Sequence, residues 1–160
     1  MPIASRLRQY LDEQHAEYEV VEHRRTSSSM ESAQASHIPP ERLAKAVLLD
    51  TEDNYLLAVV PSDHRIQLAE LRSELGAKPR LAREQEIGLI FSDCEAGAIP
   101  ALGSGYGVPT IVDDDIENAP DVYFEAGDHV SLIHMDRAEF CRLTQHAQHG
   151  RFSERWSEAD

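Results

Sequence analysis

Leu43-Ala44-Lys45-Ala46-Val47-Leu48-Leu49-Asp50, then Thr51-Glu52-Asp53-Asn54, then Tyr55-Leu56-Leu57-Ala58-Val59-Val60-Pro61: two apolar runs flank a short polar turn. A connection of that length suits antiparallel pairing, so the segment reads as a hairpin. If the first run is a strand, alternation places Lys45 on the same face as Leu43, Val47 and Leu49. An ammonium group there is costly to desolvate unless it meets an anion. The plain alternative is an edge strand whose lysine reaches out to water.

Working outward, helical and extended segments are interspersed. Ile3, Leu7, Tyr10 and Leu11 share a helical face, which predicts an amphipathic helix over 3–15. Residues 18–22 read as a short strand. The polar stretch 23–29 follows, with one of its serines capping a helix over 30–36. Beyond the hairpin, Leu68, Leu71 and Leu75 mark a helix over 67–75 that Gly76 stops, and 84–91 forms another. Residues 91–107 carry four glycines and Pro100, a composition that excludes both helix and ordinary strand. Strands are expected at 110–112, 122–125 and 130–134, and Asp136 caps a last helix through Phe140 and Leu143. A hairpin embedded among alternating elements predicts an α/β domain with a mixed sheet rather than a purely parallel one. The domain is expected over 1–144, with 145–160 a polar, mobile tail apart from Phe152 and Trp156.

Length and composition narrow the functions. The 160 residues suffice for one domain with a substantial core. No apolar run reaches the roughly eighteen residues of a membrane span and no secretory leader is evident, so a cytoplasmic protein is expected. The formal charge of −14 repels nucleic acid at long range and argues against a broad phosphate-binding surface or DNA binding. Cys94 and Cys141 lack ligand spacing and are expected as free thiols. His129 and His134 fall five apart on an expected strand and would point to opposite faces, so no metal site is expected. Asp113-Asp114-Asp115 reads as a solvated strand end leading into a helix cap. Cys94 has no histidine near it to activate a nucleophile, and Ser104 lacks a strand-to-helix elbow. Thr26 and Ser27 suit a pocket rim.

Several blocks, taken together, resemble the YbaK/ProX family, free-standing relatives of the prolyl-tRNA synthetase editing domain. They are Leu-Ala-Lys-Ala-Val-Leu-Leu at 43–49, Ala-Val-Val-Pro-Ser-Asp at 58–63, Leu-Ala-Arg-Glu-Gln-Glu-Ile at 81–87, Gly-Ala-Ile-Pro at 97–100 and Phe-Glu-Ala-Gly-Asp-His at 124–129. The resemblance runs from about His23 to Phe140. It implies a mixed α/β fold with a curved, barrel-like sheet surrounded by helices, and hydrolysis of aminoacyl esters on mischarged tRNA without a cofactor. Lys45 corresponds to the family's functional lysine, expected to orient the terminal adenosine and its phosphate. Gly97, Ala98, Ile99 and Pro100 form the loop expected to present backbone N–H groups, and His129 lies near the implied pocket. The partners implied are the acceptor end of an aminoacyl-tRNA and prolyl-tRNA synthetase. Two other readings stay open: a non-catalytic module that binds tRNA or a synthetase, and a nucleotide-binding regulatory domain.

Overall fold

The computed structural model describes residues 3–26 and 28–156. In chain order the first elements are α1 (Ser5–Glu13), β1 (Glu19–Glu22), α2 (Ser29–Ser36), β2 (Leu43–Asp50), β3 (Tyr55–Pro61) and β4 (His64–Ile66). Then follow α3 (Leu68–Leu75), β5 (Arg80–Leu81), α4 (Glu84–Ile90), β6 (Thr110–Asp113), α5 (Asp114–Glu117) and β7 (Asp121–Glu125). The last are β8 (Ser131–Asp136), α6 (Arg137–Leu143), β9 (Gln148–Gly150) and β10 (Ser153–Arg155).

The hairpin organises the sheet. β2 and β3 pair antiparallel in one register from Ala44↔Pro61 to Asp50↔Tyr55. On the β2 side lie β7, parallel, then β8 and β1, each antiparallel to its neighbour. On the β3 side lie β6 and then β9, both parallel additions. The main sheet is thus mixed, in the order β1-β8-β7-β2-β3-β6-β9, with β5 paired to the far end of β2. Its two edges remain separate, so it is an open sheet and not a closed barrel. β2 lies inside the sheet. The edge-strand alternative for Lys45 therefore fails.

Local sequence explains the helix ends. The Ser28 side chain accepts the Glu31 N–H at the start of α2, and Asp136 accepts the Glu139 N–H at the start of α6. Leu7 and Leu11, one turn apart on α1, are fully buried against one face of the sheet. That face also holds Ala44, Leu48, Leu57, Phe91, Phe124 and Phe140, and forms the main core. The other face carries two smaller clusters. Leu43 and Leu132 pack with Ala33 and Ile38 from α2 and its exit, whereas Leu49, Ala58 and Val60 pack with Leu71 of α3 and with Phe152.

Two expectations from the sequence change. The polar stretch after residue 144 supplies β9 to the main sheet and β10 to a ribbon with β4, because Phe152, with no exposed surface, anchors it in the second small cluster. Asp113 caps α5 as expected but is buried, not solvated. Its carboxylate accepts from the N–H groups of Asp115 and Phe152 and from the Ser153 hydroxyl. Among the described residues, no helix is long and apolar enough to cross a membrane.

Candidate functional site

Alternation along β2 sends Ala44 and Leu48 into the main core and Leu43, Val47 and Leu49 to the opposite face. Lys45 shares that opposite face and falls in the gap between its two clusters. It is half-buried, and among the described residues it makes no ion pair. Burial lowers its pKa, and the charge of Asp63, beyond the end of β3, works against that shift.

β7 runs beside β2 in parallel, with Leu43 opposite Tyr123 and Ala44 opposite Phe124. The next residues of the two strands are Lys45 and Glu125. Glu125 is 2% exposed and turns away from the main core, where its Oε1 accepts a 2.7 Å hydrogen bond from the Ser32 hydroxyl of α2. Ser32 Oγ lies 2.6 Å from Thr26 Oγ1, so a chain of oxygens leads from β7 to the segment before α2. Burial raises the Glu125 pKa, opposed by the Ser32 hydrogen bond and by the neighbouring His129 and His23.

The turn between β7 and β8 ties this group to the glycine-proline loop. Asp128 accepts the N–H groups of Val130 and Ser131 and so shapes the turn. Gly127, at φ +112, could not be another residue without strain: a Cβ there would lie 2.9 Å from that of Ala4. Its carbonyl accepts the Glu95 N–H at 2.8 Å. His129 also adopts a left-handed conformation, φ +60, and is buried. Its Nε2 lies 2.5 Å from the Ala96 carbonyl oxygen and its own carbonyl accepts the Thr26 N–H. A carbonyl only accepts, so Nε2 donates to it, and among the described residues the buried Nδ1 has no hydrogen-bond partner. An ion pair between Arg25 and Glu95 closes the same contact from outside and holds the Glu95 carboxyl below its ordinary range.

Within the loop, Gly97 is exposed and at φ +80, while Ala98, Ile99 and Pro100 are buried. The Ala98 N–H is already given to the Glu95 carbonyl, and Pro100 has none. Of the four loop residues singled out in the sequence, Gly97 and Ile99 are left with N–H groups that no described protein acceptor takes. A pocket of about 160 Å³ opens between α4 and the loop, lined by Ile87, Gly88, Phe91, Cys94, Gly97 and Ile99. A larger depression of about 560 Å³ between α1 and α6 contains none of the predicted site residues.

The structure therefore joins Thr26 and His129 to the loop and sets Lys45 one strand away. Ser27 lies outside the described residues. His134 pairs with Asp121 at 2.9 Å and stacks on Tyr123, apart from this group. Burial pushes the Cys94 thiol up to about 12, which makes it a poor nucleophile. Glu125 and Ser32 were missed in the sequence. An acid within Val122-Tyr123-Phe124-Glu125 carries the same signal as a lysine within Leu43–Leu49, whereas nothing local marks Ser32.

No curated protein matches the chain. Among solved structures, a protein described as a candidate trans-editing enzyme for prolyl tRNA synthetase has a TM-score of 0.83 at 24% identity, over 96% of this chain and 98% of that one. A hypothetical protein gives 0.83 at 18% identity, over 94% and 100%. A candidate signal transduction protein from Marinobacter aquaeolei VT8 gives 0.73 at 26% identity; the match covers 92% of this chain and 30% of that one. These likenesses establish the fold. The sequence profile of the aminoacyl-tRNA editing domain matches residues 23–143, a span that contains the hairpin, the loop and the β7–β8 turn. In keeping with the resemblance read from its residues, the chain belongs to the aminoacyl-tRNA editing domain family.

Proposed function

We propose that the protein is a trans-acting deacylase that hydrolyses the ester of a small amino acid wrongly attached to tRNA, with tRNA specific for proline as the foremost substrate and the cytoplasm as its place of action. The observation that carries this reading is Lys45: a half-buried ammonium on an interior strand, unpaired among the described residues, within an editing domain. A cation so placed suits an anion brought by the substrate, such as a phosphate of the tRNA acceptor end.

The chemistry asked of the site is modest. Water adds its oxygen to the ester carbonyl carbon, the bond to the terminal ribose oxygen breaks, that oxygen takes one of the water's protons, and the amino acid leaves as a carboxylate while the other proton passes to solvent. The Gly97 and Ile99 N–H groups are the donors available to the developing oxyanion, and the Ala96–His129 hydrogen bond holds the loop in place. The small pocket beside them is of a size for a short side chain. Size selection is what an editing enzyme adds. A synthetase rejects a substrate smaller by one methylene by only about 1–3 kcal/mol, so a second sieve is needed.

The test is a deacylation panel of tRNAs charged with alanine, serine, cysteine and proline, with and without prolyl-tRNA synthetase. Turnover of a small-amino-acid ester, with prolyl-tRNA spared, is the expected result. Binding of tRNA or synthetase without turnover of any ester would favour a non-catalytic module instead.

A further inference from the structure

The chain Thr26–Ser32–Glu125 has a direction. A carboxylate accepts only, so the Ser32 hydroxyl spends its one proton on Glu125 Oε1. Ser32 Oγ can then only accept from Thr26, and the Thr26 hydroxyl spends its proton inward across 2.6 Å. All three residues are buried, and Thr26 is the most exposed of them. Ser32 has no exposed surface, Glu125 has 2% and Thr26 has 7%, so the chain meets its surroundings at Thr26. There the hydroxyl has lone pairs left and no proton.

The inner end is unusual. Among the described residues, neither Glu125 Oε2 nor His129 Nδ1, both buried, has a hydrogen-bond partner. A buried carboxylate with a free oxygen is expensive, and apolar packing would serve the fold better. Lys45 on the neighbouring strand, His23 after β1, and Asp128 and His129 in the β7–β8 turn are the charged or titratable groups around it.

We propose that Glu125 and Ser32 are positioning residues that hold the Thr26 hydroxyl as a hydrogen-bond acceptor for the α-ammonium group of the aminoacyl ester. The inference rests on the deacylase reading and adds a basis for recognising the amino acid by its amine. An α-ammonium offers donors only, and the Thr26 oxygen, backed through Ser32 by an anion, offers the matching acceptor. Lys45 is left for the phosphate.

The test compares alanyl-tRNA with lactyl-tRNA, which carries a hydroxyl in place of the amine, each enzymatic rate being divided by the spontaneous hydrolysis rate of the same ester. The native protein is expected to favour the alanyl ester by about tenfold or more, the worth of one charge-assisted hydrogen bond. Ser32→Ala and Glu125→Leu should lose most of that preference by slowing alanyl turnover much more than lactyl turnover, since the lactyl hydroxyl gives Thr26 only a neutral hydrogen bond. Thr26→Val removes the acceptor itself and leaves the buried pair alone; it should show the same selective loss even if either buried variant misfolds. Equal losses on both esters in Thr26→Val would overturn the relay and leave the deacylase reading standing. A native protein that hydrolyses neither ester would overturn both.

Discussion

A single lysine carries the functional argument, and its energetics make the argument testable. Lys45→Ala should lower deacylation by about 10²–10³, the usual loss when one placed electrostatic group is removed, with the fold retained. Near-native turnover by the purified variant would defeat the assignment. Stability should move the other way. Burial depresses the folded pKa of Lys45, so the unfolded chain binds the proton more readily, and stability is lost as pH falls from the ordinary lysine value through the folded one. Lys45→Met should therefore raise the thermal midpoint at pH 7, with a gain that fades as pH nears ~10.4. Glu125 has the opposite sign: its raised folded pKa gives stability that is present below the ordinary glutamate value and lost as pH rises through the folded one. Glu125→Gln should accordingly gain stability near neutral pH and little near pH 4, as thermal melts at the two pH values would show. At this scale the face of Lys45 was legible because alternation has a fixed period. Its strand's interior place was not, because neighbours come from pairing. Ser32 and Glu125 meet across 93 positions of sequence, a contact that leaves no local pattern.

Among the elements, those with length or a cap were readable in advance. The hairpin fills its expected bounds, and α2 and α6 begin at side-chain caps of the kind expected. The pieces of two or three residues, β4, β5, β9 and β10, were not readable, since so few positions show no periodicity. Their presence changes the reading of the last stretch of sequence. Phe152 interrupts an otherwise polar run there, and it is a core residue between β9 and β10. Phe152→Ala should cost about 3–5 kcal/mol in denaturant unfolding, as for other buried aromatics. A loss under 1 kcal/mol would restore the picture of a dispensable tail. The same segment meets the site through Asp63, which accepts the Trp156 N–H on its carbonyl and pairs with Arg155 while its charge acts on Lys45.

For the whole molecule, the formal charge of −14 limits how RNA can be held. A site built on Lys45 and one or two arginines neutralises few phosphates, so the log–log salt dependence of tRNA affinity should have a slope of roughly −1 to −3. A titration across a salt series checks this, and tight binding with a much steeper slope would sink the acceptor-end picture. Added prolyl-tRNA synthetase should raise the rate by proximity if it supplies the remaining contacts. The open sheet also carries a timetable. β2 and β3 close on each other across one turn, whereas β1 must wait for its partner strand β8 to be made near the other end of the domain. Loop-closure entropy therefore favours the hairpin as the folding nucleus and leaves the β1 edge to zip up late. In stopped-flow experiments Val59→Ala should slow refolding, while Val21→Ala should mainly hasten unfolding. The strand that presents Lys45 would then be among the first parts of the molecule to take shape, and the pocket would be assembled around a lysine already in place.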